Sequence, residues 1–351
     1  MIKLLTLLVL VMAVVTIWRI IRVLELVRDL RGDEEAITDK DNSTNGKLSL
    51  WFILLGFAGM IYFTIDAKKY LLPVAASKHG ALTDSFLDMN FALIIVVFFI
   101  TQFLLFYFAW KYKHKKGKKA YFYPENHKLE FIWTIIPAVV LMGLIVYGLK
   151  LWINITAPAP AEAMVIEVYG KQFDWSVRYS GADNKLGHSN FKLITDDNPL
   201  GVDVKDASAE DDKTARELHI PVGAIINFKF HSRDVIHSAY FPHLRAQMNC
   251  VPGMTTEFTL EPTITTDSMR LITGNPKFDY VLLCNKICGV AHYNMKLKMV
   301  IESAADFKKW YKEQSYVFAK PEAAPTVEPA SLNDTVKVAE TGSATKVVAA
   351  R

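Results

Sequence analysis

Apolar residues fall in two regimes along this chain. Up to about residue 150 they come in long runs: Leu4 to Trp18, Leu48 to Ile65, Phe91 to Trp110 and Phe131 to Leu149. A helix needs roughly 20 apolar residues to cross a bilayer, so the last three runs predict membrane spans and the shorter first run a fourth. Lys3 followed by a short apolar core also fits a secretory signal. No small-x-small cleavage site follows it, however, and Trp18-Arg19 makes an interfacial anchor, which favours a helix that stays. Beyond Trp152 the runs shorten and alternate. Met164 to Tyr169, Trp175 to Tyr179, Glu217 to Val222, Ile225 to Phe230, Thr256 to Leu260, Met269 to Ile272, Tyr280 to Leu283 and Met295 to Ile301 read as strands separated by turn residues. Several short strands in about 150 residues predict a β-sandwich or barrel.

Between these elements lie less regular stretches. Residues 180–216 are rich in Asp, Asn, Gly and Lys and read as a long surface insertion. Ser303 with Asp306 marks a helix start, leading to about Gln314. From Lys320 the composition of Ala, Pro, Thr, Glu and Val without period predicts a disordered tail. The expected organisation is a first helix with its loop (1–47), three further helices (48–152), a β domain with its insertion (153–318) and the tail (319–351).

Composition agrees with this division. The chain has 351 residues, 51% of them hydrophobic, and a positive mean hydropathy, which is too apolar for an ordinary soluble protein. Charge then sets the orientation. The loop from Lys111 to Lys128 carries Lys111, Lys113, Lys115, Lys116, Lys118, Lys119 and Lys128, and the stretch after the first run carries Arg19, Arg22, Arg28 and Arg31. Both read as cytoplasmic by the positive-inside rule. The β domain and the N-terminus are then outside. The net charge of +4 is mostly this topology signal, so it gives no reason to expect a nucleic-acid partner.

The chemistry concentrates near the C-terminal end of the β region. Cys284-Asn285-Lys286-Ile287-Cys288-Gly289-Val290-Ala291-His292-Tyr293-Asn294-Met295 gathers two thiols, an imidazole and a thioether within twelve residues. Such a set suits copper in electron transfer, because zinc sites rarely recruit Met and hard cations want oxygen. Two cysteines on one loop can place two sulfurs between two metal ions. A loop disulfide or half of a zinc site fits the Cys pair too, but the disulfide explains neither His292 nor Met295. A further ligand must come from elsewhere. His237 is the best candidate, with His231 and His243 competing.

With these residues assembled, the chain resembles subunit II of the haem-copper cytochrome c oxidases from about Phe91 to Trp310. Leu129 to Pro137 resembles the start of the family's second membrane helix, and Gly170-Lys171-Gln172-Phe173-Asp174-Trp175 its aromatic segment. Asp234 to Ser238 with Val251-Pro252-Gly253 resembles its first-ligand region, and Cys284 to Met295 its copper loop. The resemblance implies a cupredoxin-like Greek-key domain holding two copper ions bridged by Cys284 and Cys288. His237 and His292 would each bind one ion, Met295 would be a weak ligand, and the backbone carbonyl of Lys286 would complete the set. It implies electron entry near Phe173 and Trp175, and proton-path entry at Glu130. It also implies haem only in a partner, oxidase subunit I, and a donor that is cytochrome c or a haem domain of a neighbouring complex. The setting would be lipid, with the copper domain outside; the additional N-terminal helices and the insertion point to a bacterial inner membrane, whose outer side is periplasmic.

Three departures qualify the match. The family commonly has Glu where Lys286 stands, and that Glu side chain helps to hold a Mg ion; an ammonium there repels the cation. Phe173 replaces the usual electron-entry Trp. The two N-terminal helices exceed the usual two-helix form, and no C-x-x-C-H haem signature accompanies them. Competing readings are a membrane-tethered copper carrier, a quinol oxidase subunit II, which would lack the ligand set, and nitrous oxide reductase, whose catalytic domain has no counterpart in this sequence.

Overall fold

The computed structural model describes residues 2–30 and 37–318; the expected tail lies outside them. Four helices come first: α1 (Ile2–Leu30), α2 (Asp39–Ala67), α3 (Lys78–Lys111) and α4 (His127–Ile155). Among the described residues, Asp39–Tyr70, Lys78–Lys111 and His127–Ile155 are long and apolar enough to cross a membrane. Helix α2 starts at a capping box. The Thr38 hydroxyl accepts from Asp41 N, while the Asp41 carboxylate accepts from Thr38 N, so two otherwise orphaned donors are satisfied. Pro137 sits inside α4, a placement that membrane helices tolerate.

The chain divides into two compact units. In the first, Met1–Lys69 with Leu93–His127, α2 meets the later part of α3 through aromatic rings, Phe57 on Phe99 at 4.5 Å and Phe52 on Phe106 at 5.6 Å. Polar contacts close one end of this pair: Lys113 Nζ lies 3.1 Å from Ser43 Oγ, and Lys116 N donates to Asp39 Oδ1 at 2.8 Å.

The second unit joins Tyr70–Ala92 to the chain from Lys128 onward and contains the β domain. Its strands are β1 (Met164–Lys171), β2 (Asp174–Tyr179), β3 (Lys213–Ala215), β4 (Leu218–Pro221), β5 (Ile226–Ser232), β6 (His237–Phe241), β7 (Ala246–Cys250), β8 (Thr256–Leu260), β9 (Tyr280–Cys284), β10 (Lys296–Glu302) and β11 (Ser315–Tyr316). Helices α5 (Thr266–Thr273) and α6 (Ala304–Lys312) complete it. One sheet runs β11-β3-β2-β1-β5-β8 and the other β4-β10-β9-β6-β7. The pairs β1–β5 and β4–β10 are parallel. Inward residues of both sheets make one core, with Ile166, Val168, Val177 and Phe228 facing Ile220, Phe241, Leu282 and Met299. Tyr179 links the sheets by a hydroxyl that accepts from His219 N and donates to His219 O.

Several features differ from the sequence expectation: α1 runs on to Leu30 and α3 begins at Lys78, both beyond the apolar runs, and the short strands β3 and β11 were not expected. Met269–Ile272 is helical rather than extended, because Thr265 caps the helix by accepting from Ser268 N and Gly274 ends it at φ +64°. Strands β6 and β7 were not expected, since His, Ser, Gln and Asn interrupt their alternation. Residues 180–216 do more than cover a surface: Leu200, Val202 and Ala209 pack on Tyr169 and bury the outer face of β1. Arg178 secures that layer. It is 1% exposed, with Nε 2.6 Å from Glu167 and Nη1 2.9 Å from Asp212, and it donates to the Gly187 carbonyl. A buried charge needs such pairing, and losing one partner would be strongly destabilising.

The approach to α3 is bound to the same sandwich. Ala76 N donates to His243 O, and Ser77 Oγ donates to Leu244 O. Arg245 places Nε and Nη2 each 2.8 Å from the two carboxylate oxygens of Asp84. This forked pairing is the strong, directional kind.

Candidate metal centre

The site forms at the end of the five-stranded sheet, where β6 begins and β9 ends. Ala239 pairs with Cys284 across these strands, so His237, the first residue of β6, stands beside the last residue of β9. The chain then leaves the sheet for residues 285–295 and returns as β10. Asn285 N donates to Ser238 O at 2.9 Å, Cys284 N donates to Met295 O at 3.0 Å, and a 3-10 turn over His292–Asn294 tightens the return.

Within this loop the donors converge. His237 Nδ1 lies 3.9 Å from Cys284 Sγ, and the two sulfurs of Cys284 and Cys288 are 3.9 Å apart. Cys288 Sγ lies 3.7 Å from His292 Nδ1 and 3.7 Å from Met295 Sδ, while the Lys286 carbonyl is 3.3 Å from Cys284 Sγ. A disulfide requires sulfurs about 2.05 Å apart, so these cysteines are free thiols. His237, Cys284, Cys288 and Met295 are buried and His292 is half-buried.

The surroundings of His237 fix its tautomer. Its Nε2 is 2.8 Å from Asp234 Oδ1. The carboxylate can only accept, so Nε2 carries the proton and Nδ1 keeps its lone pair toward Cys284. Burial pushes the Asp234 carboxyl upward, but the Gln172 amide N–H and the His237 ring outweigh it and hold the group below the usual carboxylate range. The Trp175 ring meets the imidazole edge-on at 6.0 Å. Gly170 leaves room for both: a Cβ there would come within 3.1 Å of His237 Cδ2 and of Trp175 Cζ3. On the thiol side, burial and then the neighbouring Cys284 push Cys288 up to about 11, so metal binding must displace its proton.

The structure brings together nearly all the residues read from the sequence. Phe173 lies against the loop, its ring 2.8 Å from where a Cβ on Gly289 would stand. Trp175 is buried beside His237. Glu130 lies elsewhere, in the first turn of α4. The competing histidines have other surroundings: His231 stacks on Tyr169 and pairs with Glu167, and His243 packs against Phe278 and Tyr280. Cys250 is buried opposite His237 in the β6–β7 register, its thiol pushed up to about 12 by burial, as a small apolar residue would sit. Sequence reading passed over Asp234, Gln172 and Gly289, although all three lie inside the segments that carried the resemblance.

The donor set fits soft metal. Each thiol has an imidazole nitrogen beside it, the thioether and a carbonyl flank the pair, and the whole is mostly shielded from water. Among the described residues, His237, Cys284 and Cys288 offer ligand atoms all within 4.8 Å of one another.

Comparison with known proteins agrees. Two family models match, "Cytochrome C oxidase subunit II, transmembrane domain" over residues 66–151 and "Cytochrome C oxidase subunit II, periplasmic domain" over residues 164–304. The chain is 33% identical over 266 residues to the alternative cytochrome c oxidase subunit 2 of Bradyrhizobium diazoefficiens, covering 75% of this chain and 90% of that one. It is 23% identical over 299 residues to cytochrome c oxidase subunit 2 of Thermostichus vulcanus, covering 78% and 88%. Among solved structures it is similar to the periplasmic domain of subunit II of cytochrome oxidase of Bradyrhizobium japonicum, at 18% identity and a TM-score of 0.30, covering 44% of this chain and 95% of that one. Membrane helices, a two-sheet domain and a thiol-imidazole-thioether loop thus stand in the order the matching family models span, and the chain belongs to the cytochrome c oxidase subunit II family.

Proposed function

We propose that this chain is the electron-entry subunit of a terminal cytochrome c oxidase and that its copper centre is binuclear. The convergence of two thiols, two imidazoles, a thioether and a carbonyl at one sheet end carries the reading. Cys284 and Cys288 would bridge two copper ions, His237 and His292 would each hold one, and Met295 and the Lys286 carbonyl would complete the set. Bound copper supplies a one-electron couple shared by two ions, so each bond changes little on reduction. The chain's part is to keep the donors rigid and partly dry. Asp234 holds the His237 tautomer, and the strand register fixes Cys284 beside it.

Electrons would arrive from cytochrome c, or from a haem domain of a neighbouring complex, across the loop face. Ile287 (85% exposed), Val290 (92%) and Tyr293 (88%) stand out there beside Phe173. Phe173 and Trp175 would lie on the entry side, and the electrons would leave for haem in subunit I, where oxygen is reduced. Glu130 would stand at the mouth of a proton-uptake path. Lys286 argues against a Mg ion held by its side chain. The topology that fits is four membrane helices, with α1 as the first, in a bacterial inner membrane with the copper domain on the periplasmic side. The proposed division falls at about 47 and 152, by the membrane segments, and at about 318, where the copper domain gives way to the tail. A copper carrier would use exposed, labile ligands, whereas four of the five side-chain donors here are buried.

The test is transient reduction of the assembled oxidase. Cys288→Ser should abolish haem reduction by reduced cytochrome c while a small-molecule reductant still reduces the haem. Undiminished reduction by cytochrome c would overturn the assignment.

A further inference from the structure

We propose that Gln172 is a positioning residue of the metal centre, tying the His237 side of the site to the Cys288 side. The inference rests on the binuclear reading above. Gln172 lies in the turn between β1 and β2, and its side chain is exposed. Its backbone N–H donates to Asp234 Oδ2 at 2.7 Å, and the other oxygen of that carboxylate accepts from His237 Nε2 at 2.8 Å. Its side-chain Nε2 donates to the carbonyl of Cys288. A single residue therefore reaches the imidazole through one carboxylate and the second thiol through one peptide group.

Two further observations support the bracket. The loop 285–295 is fastened at its ends by Asn285 N to Ser238 O and Cys284 N to Met295 O, and Gln172 holds it near its middle. The loop also approaches Gln172 as closely as a backbone can. Gly289 adopts φ +145°, and a Cβ there would come 2.9 Å from Gln172 Nε2 and 2.8 Å from the Phe173 ring. Glycine is needed at that point both for its conformation and for the contact. An exposed amide is ordinarily content with water, so a direct bond to a peptide carbonyl in a ligand loop fixes position more than it satisfies burial. The Cys288 carbonyl sits on the residue whose sulfur faces Cys284, His292 and Met295. Holding that peptide sets the sulfur relative to His237, whose own anchor is on the same bracket. The donor's positive end also points into the loop, which favours the electron-richer state of the centre.

The experiment uses the full chain in its assembled oxidase, loaded with copper. Gln172→Met keeps the length of the side chain and removes the donor, while the backbone bond to Asp234 stays. It should weaken copper retention against a competing chelator by about 10-fold, lower the reduction potential and alter the copper hyperfine splitting. Gln172→Lys keeps a donor of similar reach and should restore copper retention toward that of the parent. Neither change should lower the melting temperature of the metal-free chain. A Gln172→Met chain with the parent's retention, hyperfine pattern and potential overturns the bracket alone. So does a lower metal-free melting temperature with an unaltered spectrum, which would mark a purely structural role. A parent chain without a paired-copper spectrum overturns the binuclear reading, and the bracket with it.

Discussion

The two histidines of the site stand in unlike surroundings. His237 is 0% exposed, begins a central strand, and is enclosed by Asp234, Trp175 and the bare backbone of Gly170. His292 is half-buried on a 3-10 turn, between loop residues whose apolar side chains point outward. The first half is built like a protein core and the second like a docking surface. An electron-entry site needs both: one side that keeps ligand geometry fixed through a redox cycle, and one side thin enough for a donor to approach. The two thiols lie between these halves and belong to each.

The largest loss is expected at the thiols. Cys284→Ser or Cys288→Ser should remove paired copper altogether, as metal analysis of the purified oxidase would show, because each thiol stands beside one imidazole and a pair of ions needs both thiolates. The next largest effect separates the halves. Asp234→Ala should weaken copper retention by about 10- to 100-fold, since it frees the His237 ring and its tautomer. Tyr293→Ala, on the exposed half, should leave copper retention and melting temperature unchanged, within about 0.5 kcal/mol, and slow association with the reduced donor in stopped-flow mixing. Equal copper loss in both variants would erase the distinction between the halves.

Each half also contains one glycine with no room for a side chain. Gly170→Ala pushes a methyl group to 3.1 Å from both the His237 and Trp175 rings, and overpacking of this kind costs about 1–3 kcal/mol. Denaturant unfolding should report that loss together with a changed copper spectrum. Gly289→Ala meets the Phe173 ring at 2.8 Å in a backbone conformation that favours glycine, so it should disturb the loop while leaving unfolding of the sandwich less affected.

The smallest effect lies away from the metal. His243, packed edge-on to Phe278 and Tyr280, has its pKa lowered by burial and then by Arg245. A histidine with a depressed folded pKa leaves stability intact above its ordinary value of about 6.5 and costs stability as pH falls below it. His243→Phe should therefore narrow the difference in melting temperature between pH 7.5 and pH 5.

The contrast between the halves also explains what could be read from the sequence. Cys284, Lys286, Cys288, His292 and Met295 are contiguous, so their chemistry shows in the spacing itself. His237 lies 47 residues from Cys284 and competed with other histidines. Its strand, His-Ser-Ala-Tyr-Phe, lacks the alternation that marks an edge facing water, because four of its five residues are buried. Helix α5 was misread for a related reason. Met269 to Ile272 is a short apolar run whose type is decided by its flanks, and the signals that mattered were the Thr265 cap and Gly274. The long helices were plain because lipid demands unbroken apolar runs. The outer face of β1 was not, since Glu167 and Tyr169 are buried by a layer that comes from residues 180–216. Gln172 reaches Asp234 and Cys288, 62 and 116 residues along the chain, a relation no local pattern records, whereas Asp234 stands three residues before the His237 that it holds.

The most direct test of the account is the electron paramagnetic resonance spectrum of the oxidised, copper-loaded chain, recorded with its copper content. Despite the unlike surroundings of His237 and His292, the two thiols should share one electron between two copper nuclei, with two coppers bound per chain and a hyperfine pattern to match. A spectrum of a single isolated copper, or one copper per chain, would contradict it.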